Sequence, residues 1–421
     1  MNKRLSLLTV LYLSAILIHY EKINIIFYIF FSIIFFISIF FYIKNIRKEN
    51  KINLYLLLIL FYVLQSTFIT FININKLNIF NILKMLIFYS IIFISLILIR
   101  NSKGIELSNF YKNIRNFGNI IIIINIIEIV KKKSIFYVFL KGNSSNWQIS
   151  SFGTNDFRTF SIFAHPISYA VFLGCLWWIN IYMPVKNKYI RKIISILLLM
   201  NIYFTKSRSV WISFIISIII YIFININFKK IELIKKKKVI NLIFTIIISS
   251  IVVILASDKI WDVFYSIYNR FITVTNDSYN DFSRIQRIGA MNNITKQMFN
   301  SNLSILLMGN GFGAVNTFMT KNFVVLKLDA PDCGLASIFY DFGLIGVTIF
   351  TILSIYPTIT ILKKYNKNEL IYNISTFILL ITFIASFFLD NYGWVEILSM
   401  QFIGMASISS KTKLENYKNN Y

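Results

Sequence analysis

The sequence predicts an all-α polytopic integral membrane protein of about twelve transmembrane helices, and three observations predict it. Hydrophobic residues make up 57% of the 421 residues and charged residues only 14%, which is more apolar surface than one water-soluble core buries. Apolar runs of about 17–25 residues, the length that crosses a hydrocarbon layer about 30 Å thick, recur from Leu5 almost to the C-terminus. The polar connections on one side are strongly basic while the short ones on the other side hold few cations, which is the pattern that fixes orientation in a bilayer.

The first run, Leu5 to Tyr20, leads directly into EKINIIF with no small-residue exit site, so it reads as a retained helix and not as a cleavable signal. Further spans follow at 24–43, 53–71, 79–99, 116–130, 161–183, 190–204, 209–228, 239–257, 334–362, 370–389 and 392–409. With Lys3 and Arg4 in the cytoplasm, the basic segments KNIRKENK (44–51), RNSKGIELSNFYKNIRN (100–116), KNKYIRK (186–192), KKIELIKKKK (229–238), KKYNK (363–367) and the tail KTKLENYK all fall inside. The fifth span is the least regular, because NIIIIINIIEIVKKK is short, contains Glu128 and ends in three lysines on the outer side. Without that crossing every later loop inverts and KKIELIKKKK faces outward, so the charge rule retains it. The chain thus divides into a nine-helix bundle (1–257), a large extracytoplasmic loop (258–333), three last spans (334–409) and a cytoplasmic tail (410–421). No internal repeat or inverted half is visible.

The formal charge of +26 accompanies an excess of isoleucine, lysine and asparagine, the imprint of a low-GC bacterial genome. On a membrane protein such a balance sets topology first, and it does not imply nucleic acid. Cys175 lies inside one apolar run and Cys333 beside the start of another, with no metal-type spacing.

Candidate functional residues gather at outer loops. FTKSRSVWISF (204–214) places Lys206 and Arg208 between two spans. The 36 residues from Ile193 to Phe228 fall short of the roughly 40 needed for two crossings and a turn, so both cations sit at headgroup depth. They either snorkel to lipid phosphates or line a polar pocket, and the flanking hydroxyls and Trp211 favour the pocket for Arg208. The large loop adds Arg270, Arg284 and Arg287. Arg284 and Arg287, three residues apart, share a helix face and suit a pyrophosphate clamp, unless they are solvated charges offset by Asp277 and Asp281. MGNGFGAVNTF (308–318) opens no strand–helix unit and reads as a tight turn before a dinucleotide fingerprint. KLDAPDCGLASIFYDFG sets Asp329 and Asp332 just ahead of a span, as helix caps or as reactive acids, and Asp341 two to three turns inside it. RTFSIFAHPISYA puts Arg158 and His165 at a helix entrance with Pro166 in the first turn, where a histidine is either a polar cap or a substrate contact.

Four stretches, RTFSIFAHPISYA, FTKSRSVWISF, SRIQRIG…ILLMGNGFGA and LDAPDCGLASIFYDFGLIGV, resemble in this order the landmarks of the O-antigen polymerase and O-antigen ligase superfamily, Wzy-type capsule polymerases included. The resemblance covers about residues 150–360. It implies a GT-C-like helical bundle in the bacterial cytoplasmic membrane. Such a bundle joins a glycan from an undecaprenyl-diphosphate-linked donor to an acceptor sugar at the outer face, without cofactor or metal. Arg208 and Arg284 then match the arginines that hold the donor diphosphate, with Arg287, Arg158, His165 and Lys206 as further substrate contacts. The implied partners are the lipid-linked oligosaccharide, membrane lipid, and a chain-length regulator and flippase of the same pathway. Where ligases carry histidine followed by asparagine, this chain reads AspAlaProAsp, so Asp329 or Asp332 stands there as general base, which favours a polymerase over a ligase. The rival readings are a lipid-linked oligosaccharide flippase, which needs a deep charged path, and a non-enzymatic assembly partner.

Overall fold

The computed structural model describes residues 7–17, 54–74, 77, 79–101, 105–136, 151–163, 165–225, 282–325, 330–363, 369–390 and 394–409. The expected spans 24–43 and 239–257, together with Arg270 and Asp329, lie outside the described residues. Thirteen helices and no strand occur among the described residues. In chain order they are α1 (Leu7–Leu17), α2 (Leu54–Ile72), α3 (Ile79–Asn101), α4 (Ile105–Lys131), α5 (Pro166–Tyr182), α6 (Lys188–Phe204), α7 (Arg208–Asn225), α8 (Phe282–Phe299), α9 (Leu303–Met308), α10 (Ala314–Lys321), α11 (Gly334–Lys363), α12 (Leu370–Ser386) and α13 (Val395–Ser409). Three segments are long and apolar enough to cross a membrane: α2, Leu107–Lys131 of α4, and α11. Shorter apolar helices occupy Ile82–Leu98, α5, Arg208–Ile224, α12 and α13.

Two boundaries differ from expectation for physical reasons. Most of the expected cytoplasmic loop 100–116 is helix, because α4 starts at Ile105 and buries Leu107, Phe110, Tyr111 and Ile114 in its first turns. Its charged residues alternate with that apolar face, which hides the helix from a search for unbroken apolar runs. The span expected from 161 starts only at Pro166, and residues 151–163 form turns packed over the helix ends.

Helix α13 is the centre of the bundle. All of its residues are buried, and it packs against α1, α2, α3, α5, α11 and α12. Around it α12 reaches α5, α7 and α11, and the Trp178 ring stacks on Phe377 at 4.0 Å. Lipid tails are as apolar as leucine, so close packing and buried hydrogen bonds hold such helices together. Asn119 and Asn180 exchange amide hydrogen bonds at 3.3 and 3.1 Å. One turn and a half along α4, Asn125 donates to Asn201 at 2.6 Å, and Tyr169 donates to the same oxygen at 2.9 Å. The outside is apolar as well: Leu57, Phe61, Leu64, Phe68 and Phe71 form a stripe along α2 at three- and four-residue spacing, a surface matched to hydrocarbon and not to water.

The bundle has two ends that differ. At one, Arg115 on α4 donates through Nη1 to the Met183 carbonyl after α5 at 2.7 Å, and Asn113 donates to Thr9 of α1 at 3.3 Å. At the other, the C-terminal ends of α2, α4, α6 and α12 meet the N-terminal ends of α5, α7, α11 and α13 beneath the loop 151–163 and helices α8–α10. That covered end carries every candidate side chain that the structure describes.

Candidate functional site at the covered end

The TKSRS tip is a tight helical hairpin. Helix α6 ends at Phe204, Lys206 takes a left-handed backbone (φ 52°), and α7 begins at Arg208. Trp211 Nε1 donates to the Ile202 carbonyl at 3.0 Å, and its ring lies parallel to Tyr203 at 6.0 Å, joining the two arms. The loop 151–163 lies over this tip. Thr159 N donates to the Phe204 carbonyl at 3.2 Å, Arg158 Nε donates to the Thr205 carbonyl at 2.9 Å, and Lys206 Nζ donates to the Asn155 carbonyl. Lys132 Nζ reaches the Asn155 side chain at 2.7 Å. Glu128, the acid that made the fifth span irregular, anchors this loop from below: its carboxylate accepts from Ser134 Oγ at 2.9 Å, Ile135 N at 3.0 Å and Ser161 N at 3.1 Å. Arg208 stands half-buried at the first position of α7, where the helix N-terminus adds its own positive potential.

His165 is the N-cap of α5. Its Nδ1 accepts from Ile167 N at 3.1 Å, and Pro166 occupies the first helical position, where its missing N–H costs nothing. The imidazole packs on Trp394 with ring centres 4.9 Å apart. Trp394 also packs against Phe157 and Phe160 of the covering loop.

Arg284 and Arg287 lie three residues apart on α8, the helical spacing that the sequence predicts. Between them Gln286 is fully buried and clasps the return strap: it accepts from Val325 N at 3.0 Å and donates to the Ala330 carbonyl at 2.7 Å. That clasp holds Asp332 within the influence of the Arg287 charge. Burial pushes the Asp332 carboxyl above its ordinary value and the Arg287 guanidinium draws it back down. The next residue, Cys333, is a buried free thiol, pushed up mainly by burial. Asp332 has φ 52°. Lys132, Ser161 and Lys206 share this left-handed backbone, so every non-glycine residue of that kind among the described residues sits at the covered end. Each such residue costs about 1–2 kcal/mol, held here by the surrounding contacts.

The glycine-rich stretch 308–318 is more than a turn. Every amide from Gly309 to Val315 already has an acceptor: Ile305 O, Tyr340 O, Asp341 O, Thr70 Oγ1, Asp341 Oδ2, Gly311 O and Asp341 Oδ1 in order. No amide in this run is open to cradle a phosphate, which disposes of the dinucleotide reading.

The site therefore has two groups. Arg158, Lys206 and Arg208 gather at the hairpin tip, and Arg287 on α8 is felt electrostatically at Asp332. The α12–α13 link touches both, since the Leu389 carbonyl accepts from Gly334 N at 2.9 Å while Trp394 packs on His165. Sequence reasoning missed Gln286, whose place between two arginines was the available signal, and Asp390, a buried acid of the link whose charge is felt at Cys333. Comparison with protein families, curated proteins and solved structures gives no match.

Proposed function

We propose that this chain is a membrane-embedded glycosyltransferase that polymerises surface polysaccharide from undecaprenyl-diphosphate-linked repeat units. The observation that carries this reading is the gathering of cations at one end of the bundle, with Arg158, Lys206 and Arg208 at the hairpin tip and Arg287 on α8 near enough for its charge to be felt at the partly buried Asp332. In this reading the bundle is GT-C-like with about twelve spans, the covered end faces outward from the bacterial cytoplasmic membrane, and both termini are cytoplasmic. A carboxylate with a raised pKa is a competent proton acceptor, and guanidinium groups pair with phosphate oxygens through two parallel hydrogen bonds. Asp332 takes the proton of the acceptor hydroxyl as its oxygen bonds the anomeric carbon. The bond from that carbon to the diphosphate oxygen breaks, its electron pair leaves with the diphosphate, and the arginines stabilise the charge that develops there.

A transport role is less well supported. Glu128 and Asp341, the deepest acids of α4 and α11, are both occupied by backbone donors and do not line a charged path. The deciding experiment is the length distribution of surface polysaccharide from cells carrying Arg208→Ala, with membrane insertion confirmed. Loss of the ladder with single repeat units on the outer leaflet supports the polymerase. An unchanged ladder removes Arg208 from the site, and repeat units accumulating on the cytoplasmic leaflet identify a flippase.

A further inference from the structure

Helix α11 is broken at Gly343, where the backbone turns to φ 66°, ψ −167°. Such a break releases carbonyls that a helix otherwise satisfies, and at membrane depth they need other donors. They have them. The Tyr340 carbonyl accepts from Asn310 N and Nδ2 at 3.1 and 3.2 Å, the Asp341 carbonyl from Gly311 N at 2.8 Å, and the Phe342 carbonyl from Gln65 Nε2 at 3.0 Å. The fully buried Asp341 carboxylate then takes Gly313 N at 2.6 Å and Val315 N at 2.9 Å, and so caps α10 from another helix. The loop between α9 and α10 is thereby seated in the break of α11.

What that seat carries is the arginine helix. Ala314, Val315 and Met319 of α10 form one small core with Ala290, Ile294 and Met298 of α8 and with Cys333, Ala336 and Tyr340. Arg287 lies one turn before Ala290 on the same helix. We propose that Asp341 is a positioning residue of the transfer site: by capping α10 across the break of α11 it fixes the register of α8, and hence of Arg287, against Asp332. The proposal rests on the reading that Arg287 and Asp332 belong to that site. It separates the acid that reacts, Asp332, from an acid that aligns, Asp341.

The native cysteines report on it. Cys333 lies in the small core and is 3% exposed, while Cys175 is fully buried on α5 in the main bundle. In membrane vesicles, maleimide labelling of Cys333 should accelerate about tenfold or more in Asp341→Ala, as loss of two buried hydrogen bonds implies. Asp341→Asn, which keeps the shape and one acceptor oxygen, should accelerate it less. Cys175 should stay protected in both, and polysaccharide chains should shorten in the same order. Arg287→Ala and Asp332→Asn should shorten the chains with Cys333 still protected. A protected Cys333 in Asp341→Ala, or native chain length despite an exposed Cys333, overturns the proposal. If Asp341→Ala exposes Cys175 as well, Asp341→Asn decides, and exposure of Cys175 there too makes Asp341 a general requirement of the fold and overturns positioning. Native chain length in Arg287→Ala and Asp332→Asn defeats the transferase reading instead, while the Cys333 rates still tell whether Asp341 holds α8.

Discussion

Asp332 is half-buried on a left-handed backbone beside the Arg287 charge, and its protonation sets a testable pH dependence. A base acts deprotonated, so the transfer rate should rise with pH through an acid limb lying above the ordinary carboxylate value. Replacing Arg287 with alanine removes the influence that lowers it, so the limb should move to higher pH, and Asp332→Asn should abolish it. An unshifted limb in the Arg287 variant removes the coupling between the two. For stability the sign is the reverse of the usual carboxylate: a raised folded value contributes most below the unfolded pKa, and that contribution is lost as pH rises through the folded one. His165 yields a second expectation. With Nδ1 occupied by Ile167 N, its first role is to cap α5, so His165→Asn should keep both stability and chain length, while His165→Ala should cost about 1 kcal/mol in thermal unfolding. An inactive His165→Asn of native stability instead makes the imidazole a substrate contact. The candidate residues were legible in the sequence because arginines, acids and a histidine stand at span ends away from the basic segments that set topology. What each touches was not. Glu128 meets Ser161 and Gln286 meets Ala330 through folds of the chain, and no local pattern records them.

At the level of elements, the break in α11 and the glycine loop are two halves of one joint. A Cβ on Gly309 (φ 87°) lies 2.3 Å from the Asp341 carbonyl oxygen, and a Cβ on Gly343 (φ 66°) lies 2.4 Å from the Leu307 backbone. Both neighbours are main chain and cannot rotate away, and both φ values disfavour any L side chain. Gly309→Ala and Gly343→Ala should each lower stability by about 2 kcal/mol or more, read as reduced yield and a lower unfolding temperature in detergent. Native-like behaviour of both variants means the joint yields elsewhere. The TKSRS hairpin was legible from the shortness of its two arms, and the shared face of Arg284 and Arg287 on α8 from their three-residue spacing. The joint was not, because Gln65 and Phe342 meet across 277 residues of sequence and glycine spacing alone says only that the backbone bends. The early start of α4 was hidden for a different reason: an amphipathic first turn fails the test of unbroken hydropathy yet buries Phe110 and Tyr111 completely.

For the whole molecule, the alternation of helix direction makes the two ends chemically opposite, and that opposition can be measured without knowing the reaction. Asp156 and Thr320 are exposed at the covered end, on different elements, while Lys188 is exposed at the start of α6 and belongs to the other end. The native thiols are buried, so single cysteines introduced at these positions report on their own surroundings. With a membrane-impermeant reagent applied to intact cells, Asp156→Cys and Thr320→Cys should be labelled together, and Lys188→Cys only after the cells are opened. The charges predict this sidedness: KNKYIRK, rich in lysine and arginine, starts α6, and such segments stay in the cytoplasm. The packing predicts the pairing independently, because Glu128 joins the loop 151–163 to the C-terminal end of α4, while Thr70 joins the glycine loop to the C-terminal end of α2. Labelling of Asp156→Cys and Thr320→Cys from opposite sides contradicts the fold itself. Labelling of both only in opened cells keeps the fold and inverts its orientation. In that case the cations of the covered end face the cytoplasm, and a polymerase drawing on outer-leaflet lipid-linked units is no longer tenable.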